Sequence, residues 1–153
     1  MNESQRIADQ LRRAYEGEAW HGPSVREVLA GVTAEKAARR PIPQAHSIWE
    51  IVVHVAQWEG FVRRRLMGEL VTDLPPELDW PPVNDPSEAA WQSALGNLER
   101  GNQELRTAIG ALSDERLREI VQGQRYSFYG LLHGVVQHDL YHAGQIALLK
   151  KAL

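Results

Sequence analysis

Cysteine is absent from the 153 residues, which excludes disulfides, thiolate zinc sites, iron–sulfur clusters and a cysteine nucleophile. Long hydrophobic runs are missing as well. No apolar stretch approaches the ~20 residues that span a bilayer, and the polar opening Met1-Asn2-Glu3-Ser4-Gln5-Arg6 lacks the charged-then-apolar order of a secretory signal. A soluble, cytoplasmic protein is expected. Nor is there an excess of one charge: 17 basic and 20 acidic residues leave a formal net charge of -3. With no overall field to attract a polyanion, nucleic acid is not an expected partner, and neither is a membrane. Six histidines remain as the soft metal ligands, in a chain whose length suits a single domain over residues 1–153.

Short period-2 alternation bounded by tight-turn pairs is scarce, whereas apolar residues recur with a helical period behind helix-start signals, so the chain reads as all-α. A first helix is expected from about Asn2 to Glu16, with Ile7, Leu11, Ala14 and Tyr15 as its apolar stripe. Ser24-Val25-Arg26-Glu27 and Ser47-Ile48-Trp49-Glu50 are capping boxes, in which the Ser hydroxyl and Glu carboxylate satisfy each other's backbone N–H groups. The first opens a short helix and the second a long one to about Met67; Thr33 caps another short piece. Five of the eight prolines fall between Pro75 and Pro86, so residues 69–86 are expected to be an extended crossover without helix. Asp85 as N-cap, Pro86 at the first helical position and Glu88 at the third predict a third long helix to about Leu112, with Trp91, Leu95, Leu98, Leu105, Ile109 and Leu112 facing inward. A short turn near Asp114 precedes a fourth long helix from about Ser127 to Lys151. Four long helices with one long crossover suggest a four-helix bundle.

His138 and His142 are four apart, about 6 Å on one helical face. They fall on the run Leu131, Val135, His138, His142, Gln145, Leu149, which is read as the core stripe. Two adjacent inward imidazoles call for partners or a metal, because an uncompensated buried polar group costs about 1–3 kcal/mol. His138-Asp139-Leu140-Tyr141-His142 also resembles the His-Glu-x-x-His pattern of zinc peptidases, with Asp in place of the general base. No His, Asp or Glu follows His142, so a third ligand of these types must lie upstream. His133 is turned about 140° off the stripe, His46 sits beside a helix cap, and His21 lies in a Gly/Pro turn. His54, mid-helix at the border of an apolar arc, is the expected third ligand. Three imidazoles with an open position suit a catalytic metal, zinc first and nickel next.

Ser47-Ile48-Trp49-Glu50-Ile51-Val52-Val53-His54-Val55-Ala56-Gln57-Trp58 and Gln137-His138-Asp139-Leu140-Tyr141-His142-Ala143-Gly144-Gln145-Ile146 resemble the two signature helices of the DinB/YfiT-like family of metalloenzymes. The Trp20-His21-Gly22-Pro23-Ser24 turn is similar to the family's segment after the first helix. The resemblance implies an antiparallel four-helix bundle whose His54, His138 and His142 bind a divalent metal in a pocket at one end. It also implies a homodimer, and an enzyme transferring a low-molecular-weight thiol such as bacillithiol, mycothiol or glutathione to a small electrophile. Metal-dependent hydrolysis, with metal-bound water as nucleophile, is the first alternative; a noncatalytic metal-binding or dimeric interaction protein is the second. If thiol chemistry occurs, the missing cysteine means that the thiol comes from outside the chain. Glu50, Asp139 and Gln145 are the candidate catalytic side chains. Glu50 is already explained by its capping box, Asp139 lies about 100° from His138 toward a neighbouring helix or solvent, and Gln145 projects inward. Arg63-Arg64-Arg65 is read as a solvated basic end of the second long helix.

Overall fold

The computed structural model describes residues 1–72 and 74–153. Among the described residues eight helices follow in order: α1 (Glu3–Glu16), α2 (Val25–Leu29), α3 (Ala34–Ala38), α4 (Ile48–Leu66), α5 (Pro76–Asp79), α6 (Glu88–Gly110), α7 (Asp114–Arg118) and α8 (Phe128–Lys151). Among the described residues the sole β feature is an isolated bridge between Ile120 and Ser127.

The caps explain where the helices begin. Ser24 and Ser47 form both expected capping boxes, and Thr33 caps α3. Asn2 and Gln5 form a third box at α1, which removes two more orphan donors. The start of α6 differs from expectation. Its N-cap is Ser87, whose hydroxyl accepts from the Ala90 N–H, while Asp85 accepts from the Ser87 N–H one step earlier. A Ser-led cap thus displaces the Asp-Pro start by two residues. The crossover is also not wholly extended. Pro76 at the head of a helical turn has no N–H to lose, and Pro76–Asp79 forms the single-turn α5.

The four long helices α1, α4, α6 and α8 close a ring of contacts in which α4 and α1 each pack on both α6 and α8. Side-chain pairs give the directions. Ser4 bonds the Leu112 carbonyl and Glu16 pairs with Arg106, so α1 runs against α6. His54 meets His142 and Trp58 meets His138, so α4 runs against α8. Trp49 packs on Trp91, Glu59 meets Asn102 and Arg63 pairs with Glu104, so α4 and α6 run the same way. A parallel neighbour cannot be reached by a tight turn, and the crossover between Leu66 and Glu88 carries the chain back along the molecule.

The core divides into two apolar clusters. One gathers Tyr15, Ile48, Val52, Trp91, Ala143 and Ile146; the other gathers Ile7, Leu11, Val62, Leu105, Leu132 and Val135. Sequence order along α4, α6 and α8 places Glu59, Asn102 and Asp139 between them. These three polar residues are 0% exposed and form a buried polar layer.

A candidate three-histidine metal centre

His54 in the second turn of α4 and His138 and His142 in the middle of α8 converge across the α4/α8 seam. Their Nε2 atoms meet at 3.0 Å for His54 to His138 and 3.2 Å for His142 to His138. Two nitrogens bound at ~2.05 Å to a tetrahedral zinc stand about 3.3 Å apart, so these spacings suit one ion. The other ring nitrogens select the tautomer. His54 Nδ1–H donates to the Asp79 carbonyl at 2.7 Å, and His142 Nδ1–H donates to Gln145 Oε1 at 2.6 Å. Each proton sits on Nδ1, so the Nε2 lone pairs of His54 and His142 both face His138. A single Nε2–H on His138 cannot satisfy both, whereas a cation at their centre engages all three. The three side chains form a group able to hold a metal ion.

The electrostatics agree. Burial pushes the pKa of His138 and that of His142 down to about 4, and His54 is also lowered, first by burial. Neutral imidazole, the ligand form, is therefore held at pH 7. His54 and His142 are buried, while His138 is partly open to solvent.

The crossover roofs the site. Asp79 accepts the Trp58 indole N–H through Oδ1 at 2.7 Å while its carbonyl takes the His54 proton. The Trp80 indole stacks on His54 at 3.8 Å and on His46 at 3.5 Å between ring centroids. From sequence the Pro-rich crossover with Trp80 reads equally as a cover over a pocket or dimer surface and as a stiff connector; Trp80 docked on His54 favours the cover, and the Asp79 contacts to His54 and Trp58 had no sequence signal. Two clefts border the triad, one at His138 and the other at His142. One, of about 410 Å³, runs from His138 and Trp58 to Arg65 and Tyr126. The other, of about 370 Å³, is bounded by His46, Trp80, His142 and Gln145. His54 lies in the second turn of α4, and His138 and His142 lie in the middle turns of α8.

Behind His138, the buried Glu59 and Asp139 carboxyls approach each other. Asn102 Nδ2 donates to Glu59 Oε1 at 2.6 Å. Glu59 Oε2 and both Asp139 oxygens have no partner among the described residues. Burial pushes Asp139 up to about 7, and burial followed by the Asp139 charge raises Glu59 well above the usual carboxylate range. A proton held between the two carboxyls is the donor both lack. The surface alternative for Asp139 is thereby corrected. The inward stripe of α8 is Leu132, Val135, Val136, Asp139, His142, Ala143, Ile146 and Leu149, with His138 on its flank. His138 Nδ1 stands 3.8 Å from Asp139 Oδ1.

Of the other candidates, Glu50 is engaged away from the triad: Oε2 accepts the Ser47 N–H at 2.7 Å and Oε1 pairs with Arg40. Burial opposes its ionisation, but these donors outweigh burial and hold its pKa low. Gln145 touches His142 and faces the second cleft. His21 is exposed, and His133 packs on Tyr129. The basic triplet is not uniformly solvated: Arg63 and Arg64 pair with Glu104 and Glu69, but Arg65 is 4% exposed.

Fold and site together define an all-helical protein with a three-histidine centre. Residues 19–146 match the DinB superfamily, and the chain belongs to it. No curated protein and no solved structure matches the chain.

Proposed function

We propose that the protein is a divalent-metal-dependent enzyme in which His54, His138 and His142 hold the ion through Nε2, and that it transfers a low-molecular-weight thiol to a small electrophile. The observation that carries this reading is the convergence of three Nε2 atoms, with one cleft opening at His138 and another at His142. A transfer needs two substrates side by side, which favours it over hydrolysis, where water is the second reactant. A bound divalent ion, zinc or nickel, supplies Lewis acidity and lowers the pKa of a coordinated thiol or water. The chain's own residues do the positioning. Asp79 and Gln145 fix the His54 and His142 rings, Trp80 excludes water from the His54 face, and the partly open His138 edge admits a reactant.

The ring of contacts among α1, α4, α6 and α8 supports a four-helix bundle, antiparallel at α1/α6 and α4/α8. A homodimer and a cytoplasmic location belong to the same proposal; among the described residues no helix is long and apolar enough to cross a membrane.

Elemental analysis of untagged protein should find about one divalent ion per chain, lost in His54→Ala and His138→Ala. Unchanged metal content in both variants overturns the site. A panel of electrophiles with bacillithiol, mycothiol and glutathione, with and without added metal, tests the reaction. Thiol-independent, metal-dependent ester or amide cleavage would replace transfer with hydrolysis, and no turnover by the metal-loaded protein would leave a noncatalytic metal-binding protein.

A further inference from the structure

The cleft that begins at His138 ends at a buried cation. Arg65 is 4% exposed and lines the cleft together with Tyr126. Its Nε and Nη2 donate to the Val71 carbonyl at 3.1 and 2.9 Å, and Nη1 donates to the Tyr126 hydroxyl at 3.2 Å. Three of the five guanidinium N–H groups are thereby used, leaving one on each terminal nitrogen. Both acceptors are neutral. Among the described residues no carboxylate pairs with Arg65, in contrast to Arg63 and Arg64 beside it. A buried cation without a counter-ion is costly, and among the described residues the bonds to Val71 and Tyr126 explain its position but leave its charge uncompensated.

The wall between Arg65 and His138 is apolar, formed by Trp58, Val62, Leu131 and Val135. Beside Leu131 and Val135, Gly130 and Gly134 lie one turn apart on α8 and also line the cleft. Glycine within a helix costs about 1 kcal/mol relative to alanine. A Cβ at Gly134 would meet nothing within 4 Å, so packing does not demand the glycine there; the missing side chain widens the cleft. Along α4, Trp58 at the His138 level and Arg65 are seven residues apart, about 10 Å at 1.5 Å per residue.

We infer that this cleft takes an amphiphilic monoanion: an apolar body of about 10 Å with a carboxylate at Arg65 and its reacting end at the histidine centre. The inference rests on the proposed metal site for the reacting end alone. Two free N–H groups on a planar fork suit the two oxygens of a carboxylate, and the apolar walls suit an unbranched or aromatic chain. The electrophilic substrate is thereby an acid that carries its reactive group at the end remote from the carboxylate.

Calorimetric titration of the full chain, chelator-treated and metal-loaded, with sodium octanoate, 1-octanol and octylammonium chloride tests this. Chelator-treated protein should bind octanoate at least ~tenfold more tightly than octanol and reject octylammonium. Gly134→Leu, which fills the cleft without touching Arg65, should abolish octanoate binding, and Arg65→Gln should erase the preference over octanol. Equal affinity for octanoate and octanol in the wild type overturns the inference. So does octanoate binding that survives Gly134→Leu, a readout that does not depend on whether Arg65→Gln folds. Octanoate preference in a protein that takes up no divalent ion on metal loading would sustain the cleft and sink the metal centre; metal uptake without the preference would do the reverse.

Discussion

Replacing Glu59 by glutamine should make the metal-free protein more stable once pH has risen through the folded values of both Glu59 and Asp139, and change little at pH 4. In the wild type, Glu59 Oε1 accepts from Asn102 at 2.6 Å, but Oε2 and both Asp139 oxygens lack donors. Glutamine keeps the Asn102 bond through its carbonyl and places an NH2 where Oε2 stands, facing Asp139. Once the wild type has lost the shared proton and both carboxyls are ionised, the glutamine gains one hydrogen bond to a carboxylate and removes one uncompensated carboxylate, worth about 2–3 kcal/mol. In a domain of this size that raises Tm by about 4–10 °C. The sign follows from the raised pKa. Folded Glu59 holds its proton to higher pH than the unfolded side chain, whose ordinary value is 4.5. Its favourable contribution is therefore complete below 4.5 and lost as pH rises through the folded value, so the gap between variant and wild type opens with pH. His138 and His142, lowered to about 4, weaken the fold as pH falls from 6.5, but they are present in both proteins and cancel in the difference. Urea unfolding of chelator-treated samples at pH 4 and in steps upward from pH 7 to the alkaline limit of the fold measures the effect. A variant less stable than wild type at the highest pH, or a difference that does not grow anywhere along the series, would refute the shared-proton reading of the layer.

Gln145→Ala removes the acceptor that holds the His142 ring; metal affinity, measured by competition with a chromogenic chelator, should fall about 10–100-fold while stoichiometry is kept. Unchanged affinity would mean that Gln145 does not orient the ring. Ser47→Ala breaks the capping box at the head of the helix that carries His54 and should cost about 1 kcal/mol in urea unfolding; a loss below a few tenths would show the cap to be redundant.

Most helix boundaries were legible because capping is local: Ser24, Ser47 and Thr33 act within three residues of themselves. The histidine triad was legible because the i, i+4 spacing of His138 and His142 and the apolar neighbours of His54 narrow the choices. The polar layer was not, although its signal was there. Glu59 lies four residues after Val55 and three before Val62, and Asn102 lies between Leu98 and Leu105, so each sits on an apolar stripe. Charge and amide groups at such places suggest a surface until a partner is found, and the partners are on other helices. The parallel course of α4 and α6 and the roof made by Asp79 and Trp80 depend on where the crossover docks, which no local pattern encodes.

His54 and His138 stand 84 positions apart in the chain. An ion shared between them is a cross-link, closing in the unfolded ensemble a loop as long as those that disulfides close, where chain entropy alone is worth on the order of 4 kcal/mol. A chain without cysteine would thereby have a removable staple between two of its long helices, and withdrawal of the ion would release a structural constraint together with any chemistry.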